Sequence, residues 1–235
     1  MNYEEFESQL DEANITREEG KFAESLARLA ELKAAVSEET VVLLPDVLSC
    51  EFIAYKHLYR QSSLRQHYDL GLDAASMALK VATDIDDPNE MMIAAFNLGK
   101  AYELDNEWQS ASEAFEQSLR MFGRMESDSR HNRPAVQADI QSHLARSLYH
   151  LGQTDKAKEI FAVTIDVLKA DTVEDSYTRN VWLSGSYMRA AEVLWTAEPE
   201  LASDYLKEAE KIIKTDERLG LRMEQLEELK TKMAE

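Results

Sequence analysis

The stretch PNEMMIAAFNLGKAYELDNEWQSASEAFEQSLRMF, residues 88–122, determines how the rest of this chain is interpreted. Within it, small residues alternate with bulky ones at relative offsets of 0, 1, 4, 13 and 17, namely Leu98, Gly99, Tyr102, Ala111 and Phe115. Small side chains on one helix let a second helix approach closely, and the bulky ones fill the remaining space. The stretch therefore predicts two closely packed antiparallel helices.

A second segment repeats this register from Pro134. Four positions agree in their distance from Pro88 and from Pro134: Leu98 and Leu144 at 10 residues, Tyr102 and Leu148 at 14, Ala111 and Ala157 at 23, and Phe115 and Phe161 at 27. Such agreement indicates an internal repeat. Because proline is tolerated in the first turn of a helix, Pro45, Pro88 and Pro134 are each predicted to open the first helix of a unit.

This pattern resembles the tetratricopeptide repeat (TPR), with Ala95 and Ser118 departing from the family's bulky and small residues. Ala111 and Ala157 are 46 residues apart, and Ala157 and Ala202 are 45 apart. An ordinary TPR repeats at about 34 residues, so the chain resembles a long-helix variant with both helices of a unit lengthened. The resemblance implies an all-α fold, a right-handed superhelix of antiparallel helix pairs.

The repeats predict a single TPR-like domain over residues 1–235, closed by a C-terminal capping helix. Its boundaries lie near 2–43, 45–87, 88–133, 134–175 and 176–214, with the cap at 216–235. Terminal repeats need a cover for their exposed apolar face. In the last segment Leu219, Met223, Leu226, Leu229 and Met233 fall on one side of a helix, as a cover requires.

Composition excludes several classes of partner. The net charge of −19 would repel a nucleic-acid backbone and an anionic membrane surface. No run approaches the roughly 18 apolar residues that span a bilayer, and the acidic N-terminus does not resemble a signal peptide. The single Cys50 is compatible with a reducing compartment, so we expect a cytoplasmic protein that binds neither nucleic acid nor membrane.

No pattern for catalysis or cofactor binding occurs in the sequence. It lacks a glycine-rich phosphate loop, a nucleophile elbow and a metal-hydrolase helix motif. His143 and His150 are seven residues apart, two helical turns or about 10 Å, which is too far for one metal ion. We expect no enzyme activity, no cofactor and no metal.

The resemblance implies that the first helix of each unit lines a concave groove that binds peptides. The candidate groove residues are His57, Arg60, Phe96, Asn97, Lys100, His143, Arg146, Tyr149 and His150. Asn97 stands where peptide-binding TPR proteins commonly place an asparagine, whose amide can donate to and accept from a peptide backbone. The full carboxylate clamp of chaperone-binding TPR proteins does not carry over, since Ile53 and His57 occupy two of its positions.

The candidate strip is basic relative to the rest of the chain. It favours an acidic peptide or a C-terminal carboxylate, with Arg146 forming a bidentate pair. The alternative, that these are ordinary helix-surface charges, stays open. The functional prediction is a non-catalytic module that binds a peptide or protein segment. Two alternatives also stay open. One is an assembly adaptor that self-associates, which the C-terminal helix suggests, and the other is a peptide-switched signalling regulator.

Overall fold

The computed structural model describes residues 1–129 and 131–234, and within these ranges it contains α-helices, short 3₁₀ turns and no β-strand. The helices are α1 (Tyr3–Glu18), α2 (Phe22–Ala34), α3 (Leu44–Ser62), α4 (Arg65–Asp84), α5 (Pro88–Leu104), α6 (Trp108–Phe122), α7 (Pro134–His150), α8 (Thr154–Ala170), α9 (Ser176–Leu194), α10 (Pro199–Ile213) and α11 (Gly220–Ala234). The 3₁₀ turns Val41–Leu43 and Glu217–Leu219 precede α3 and α11. The all-α prediction is confirmed. None of the helices in the described ranges is both long and apolar enough to cross a membrane.

The chain divides into two compact units, Met1–Met125 and Glu126–Glu235. Unit 1 contains the pairs α1/α2, α3/α4 and α5/α6, and unit 2 contains α7/α8, α9/α10 and α11. That residues 1–235 act as a single domain stays a prediction.

Helix pairs are packed in the same way within each unit. The first helix of a pair contacts its own second helix, and that second helix contacts the first helix of the next pair. First helices also contact each other: α3 touches α5 in unit 1, and α7 touches α9 in unit 2. These contacts confirm the predicted repeat of helix pairs.

The alternation of small and bulky residues explains the close approach of α5 and α6. Phe115 is fully buried, and a Cβ atom added at Gly99 would lie 2.4 Å from its ring. No larger residue than glycine fits there without displacing the ring. One turn before Gly99, Phe96 packs against the same Phe115 ring, with 5.8 Å between ring centroids.

Proline and aspartate set where the first helices begin. Pro88 and Pro134 are the first residues of α5 and α7, and Pro45 is the second residue of α3, which confirms the predicted role of the three prolines. Before α5, the Asp87 carboxylate accepts hydrogen bonds from the backbone N–H groups of the first turn, the shortest at 2.8 Å from Asn89. Such caps satisfy donors that have no partner inside the helix.

The long repeat period arises in two places. Helices α3 and α4 have 19 and 20 residues, which confirms the predicted lengthening for that pair. In the next unit the extra residues lie instead in the connection between helices, because α6 ends at Phe122 and α7 begins only at Pro134.

The C-terminal helix covers the last pair, as the sequence predicted. Helix α11 packs on α9 and α10. Leu219 and Leu226 are buried, while Met223, Leu229 and Met233 are half-buried. The apolar edge of the α9/α10 pair is therefore not left open to solvent.

Candidate peptide-binding surfaces

The structure separates the predicted groove residues into two groups, one in each unit. His57 and Arg60 lie on α3, and Phe96, Asn97 and Lys100 lie on α5, all in unit 1. The others, His143, Arg146, Tyr149 and His150, lie on α7 in unit 2. Each group is a surface of its own unit.

Aromatic rings and lysines join α3 and α5 in a cluster that we call the aromatic seam (Phe52, Lys56, Phe96 and Lys100). The Lys100 ammonium nitrogen lies 4.2 Å from the ring centroid of Phe96 and 5.9 Å from that of Phe52. Lys56 lies 5.9 Å from the Phe52 ring. Cations at these distances are attracted by the negative face of a ring. Phe96 and Lys100 are half-buried, so part of this seam faces solvent.

The other predicted residues of unit 1 are placed less favourably for a ligand. The His57 ring stacks on Phe22 of α2, with centroids 5.1 Å apart and planes parallel to within 1°. Arg60 is exposed near the end of α3. Asn97 is only 3% exposed, so its amide offers little surface, and its contact with a peptide stays a prediction.

In unit 2, charged residues cross between helices in a cluster that we call the ionic seam (Asp139, Ser142, Arg146, Arg189, Glu192 and Lys232). Arg189 of α9 donates from Nη2 to Asp139 at 2.8 Å and from Nε to Ser142 at 2.9 Å. The side chains of Arg189 and Asp139 are 11% and 12% exposed. A pair this buried requires both partners, because an isolated charge here would be strongly unfavourable.

The second half of the ionic seam is centred on Glu192. Nη2 of Arg146 lies 2.9 Å from one Glu192 oxygen and 3.1 Å from the other, and the Lys232 ammonium of α11 lies 3.1 Å away. Burial acts to raise the pKa of Glu192, but the two cations outweigh it, and the pKa lies below its usual range. A ligand carboxylate could take Arg146 in the predicted bidentate manner only by competing with Glu192.

The remaining predicted residues of α7 lie near its end. The Tyr149 and His150 rings meet edge to face, with centroids 6.2 Å apart. Tyr149 and His143 are half-buried and His150 is exposed. Their role in binding stays a prediction.

Sequence reasoning missed three members of the ionic seam, namely Arg189, Glu192 and Lys232. A signal for one of them was present, because Arg146 and Glu192 have opposite charges and are 46 residues apart, one repeat period. Opposite charges at the repeat period are placed to meet on neighbouring first helices. Arg189 and Lys232 have no comparable signal, since their carboxylate partners lie 50 and 40 residues away and not one repeat period.

Metal binding has no geometric support in the part of the chain that the structure describes. There, no three His, Cys, Asp or Glu side chains are grouped so that they could hold an ion. Cys50 is buried among apolar residues of unit 1, and burial raises the pKa of its thiol.

Comparison with known proteins defines the fold. No protein-family model and no curated protein matches this sequence. Among solved structures, the protein BtubC (BKLC) from P. vanneervenii superposes with a TM-score of 0.62 at 16% identity, covering 86% of this chain and 77% of that one. The nearly identical TPR-like repeats of a protein assigned as a kinesin light chain in Podosopora anserina give a TM-score of 0.56 at 17% identity, covering 91% and 97%. The fold is therefore a TPR-like helical repeat; at this identity the likeness carries no further conclusion.

Proposed function

We propose that this chain is a non-catalytic protein-interaction module whose first helices bind an extended peptide or protein segment. The working surfaces in this proposal are the aromatic seam of unit 1 and the ionic seam of unit 2. The second helices, with their exposed charged faces, serve as the scaffold that positions them.

One observation carries the proposal: polar groups are buried unequally on the two kinds of helix. In the described ranges, the buried carboxylates that lie within helices are Glu51, Glu103 and Asp139, and these belong to the first helices α3, α5 and α7. The buried polar residues of the second helices carry only hydroxyl groups. Convergent polar groups set among apolar ones are typical of binding surfaces.

The aromatic seam offers a second line of support. Phe96 supplies an apolar face, and Lys100 above it supplies a positive charge that is itself partly exposed. A peptide with an apolar side chain next to an acidic one would contact both. Such a combination of one apolar anchor and one directional charge is how short peptides are commonly held.

The proposal is tested with peptides selected from a random library on the immobilised chain. The dissociation constant of a selected peptide is then measured by fluorescence anisotropy for wild type, for Lys100→Glu and for the matched control Lys80→Glu. Lys80 lies on α4, is 69% exposed and pairs with Asp84, so it is a lysine of the outer face. We expect Lys100→Glu to weaken binding by about tenfold or more, as loss of a charge-assisted contact does, and Lys80→Glu to leave it unchanged. Equal effects of the two substitutions, or no peptide binding at all, would reject the proposal.

A further inference from the structure

Helix α11 is separated from α10 by a short break in an otherwise helical stretch. Lys214, which follows α10, and Gly220, which opens α11, both have right-handed helical torsions, and a 3₁₀ turn covers Glu217–Leu219. Asp216 is extended instead, with φ of −146° and ψ of 115°. Helical torsions at this break would join α10 and α11 into one helix and carry α11 away from α9.

Hydrogen bonds of two side chains hold the break in its extended form. The Asp216 carboxylate accepts from the backbone N–H of Arg218 at 3.0 Å and from its guanidinium at 2.5 Å. The Asn180 amide of α9 donates to the Thr215 hydroxyl at 3.3 Å. A cap such as that of Asp216 contributes a modest local stabilisation, and straightening of the break would remove it.

Helix α11 and its 3₁₀ turn bury few side chains on α9 and α10. Leu219 and Leu226 are buried. Leu221 is 54% exposed, and Met223 and Met233 are half-buried. An element with few buried apolar contacts opens at a lower free energy than the core of its unit.

Two partly exposed ion pairs fasten the second half of α11. The Lys230 ammonium lies 2.7 Å from Glu210 of α10, and the Lys232 ammonium lies 3.1 Å from Glu192 of α9. The two lysine side chains are 32% and 72% exposed. Salt screens such pairs, and each contributes little stability. The contacts of α11 therefore select a charge pattern without holding the helix strongly.

Displacement of α11 would leave an edge of α9 and α10 with two requirements. The edge has an apolar site, where Leu219 and Leu226 were packed, and the carboxylates of Glu192 and Glu210. A helix that closes it needs two apolar side chains and two cations at the spacing found in α11. The α11 of a second copy has all four, and its contacts would be those already made within one chain.

We propose that α11 is exchanged between two copies of this chain, so that the α11 of each copy covers the α9/α10 pair of the other. The break at Asp216 straightens in both copies, and every other contact of α11 is kept. The exchange is reciprocal, so it gives a closed dimer and not a filament. The inference goes beyond the proposed function, because it concerns assembly of the chain and needs no peptide.

Charge reversal gives the sharpest test. Lys230→Glu places like charges together in the closed chain and in its own dimer, and so does Glu210→Lys. In a mixed dimer of the two variants, each α11 meets an opposite charge on the partner copy. The control carries both substitutions in one chain, which restores an opposite pair and should behave as wild type.

The two variants are co-expressed with different affinity tags, and the assemblies are counted by native mass spectrometry. Random pairing would give as many mixed dimers as the two single-variant dimers together. We expect mixed dimers to outnumber the others together by about tenfold, because reversed charges repel in one arrangement and attract in the other.

The break itself is tested by Asp216→Ala, which removes the cap and favours a helix. We expect sedimentation equilibrium to show a dimer association constant about tenfold above wild type, since each dimer contains two straightened breaks. Asp175→Ala is the matched control. Asp175 also caps a helix of unit 2, accepting from the backbone N–H groups of Tyr177 and Thr178 at the start of α9, and its loss should leave association unchanged.

Three results would overturn the inference. The first is a co-expressed mixture that contains only monomers. The second is mixed dimers at the abundance of random pairing, which would place the dimer contact on another surface. The third is an Asp216→Ala variant that associates no more strongly than Asp175→Ala.

Discussion

Unit 1 joins its first helices with rings, and unit 2 joins them with charges. Between α3 and α5, Lys100 lies over Phe96 and reaches toward Phe52. Between α7 and α9, Arg189 pairs with Asp139 and Arg146 pairs with Glu192. The pairs α5/α6 and α7/α8 are nevertheless alike in combining a buried small residue on the first helix with a buried phenylalanine on the second.

The difference shows that two sets of positions have separate tasks. Packing within a pair depends on Gly99 and Phe115 in unit 1 and on the corresponding Ala145 and Phe161 in unit 2, all of them buried. The seam between first helices uses other positions, which can change from aromatic to ionic without altering the pair. A repeat can therefore keep its fold while its candidate binding surface changes.

The largest effect should come from the shared positions. Phe115→Ala and Phe161→Ala each remove a fully buried ring, which costs about 3–5 kcal/mol of unfolding free energy. We expect similar losses in the two units, because pair packing is common to both. Hydrogen exchange resolved by unit measures each loss separately, and a loss confined to one of the variants would contradict the division of tasks.

Asp139→Ala should destabilise unit 2 by about 3 kcal/mol, since it leaves the mostly buried Arg189 charge without its carboxylate. The control is Asp84→Ala, which breaks the exposed pair with Lys80 and should change stability by about 0.5 kcal/mol or less. Urea unfolding followed by unit-resolved exchange gives both values. If Asp139→Ala costs no more than its control, the ionic seam does not hold α7 and α9 together.

Gly99→Ala should cost about 1–3 kcal/mol, because the new methyl group would overlap the Phe115 ring. The reverse change at the corresponding position, Ala145→Gly, should cost about 1 kcal/mol through helix propensity. Thermal and urea unfolding report both. A neutral Gly99→Ala would mean that the α5/α6 pair tolerates a wider separation than its packing implies.

Lys100→Gln removes the cation above Phe96 and should cost about 0.5–1 kcal/mol. Lys80→Gln, on the outer face of α4, is the matched lysine and should change unfolding free energy less. A double-mutant cycle with Phe96→Leu isolates the interaction between cation and ring. A coupling energy of zero would show that the Lys100 charge does not stabilise the aromatic seam through Phe96.

The smallest effect concerns the pH dependence of the ion pairs that join α11 to α9 and α10. Hydrogen bonds from Lys214 and Lys230 hold the pKa of Glu210 at about 2, and the pKa of Glu192 beside Lys232 also lies below its usual range. Because these folded-state pKa values are depressed, the two carboxylates stabilise the folded chain fully above the unfolded pKa of about 4.3. This stabilisation is lost as the pH falls toward 2.

Amide exchange of residues 220–234, corrected for the intrinsic rate, should therefore rise between pH 5 and pH 3. Lys230→Met should weaken that dependence, since it removes the cation of α11 that binds Glu210. Exchange in α11 that is independent of pH would show that apolar contacts through Leu219 and Leu226 hold the cap alone.

Local features of the fold could be predicted because their causes are local in the sequence. Pro88 and Asp87 place the start of α5 whatever surrounds it, and the offsets from Pro88 and Pro134 fix the pairing of neighbouring helices. The capping helix was readable from the spacing of its apolar residues. The repeat period alone does not say where its extra residues lie, so longer helices were expected for every unit, whereas after Phe122 the structure places them in a connection.

The candidate site was less predictable because its contacts join residues far apart in the chain. Arg146 was predicted to be a groove residue, which stays a prediction, and its partner Glu192 depends on the register between α7 and α9. Asn97 was placed correctly on a first helix, yet a polar residue there can face solvent or a neighbouring helix, and this one is buried.

The most direct test of binding by the first helices is hydrogen exchange of the chain with and without a library-selected peptide at saturating concentration. We expect the peptide to protect backbone amides of the first helices, at residues 44–62, 88–104, 134–150 and 176–194, and to leave exchange in α4 and α8 unchanged. Protection confined to α4, α6, α8 and α10 would contradict it and place the working surface on the second helices.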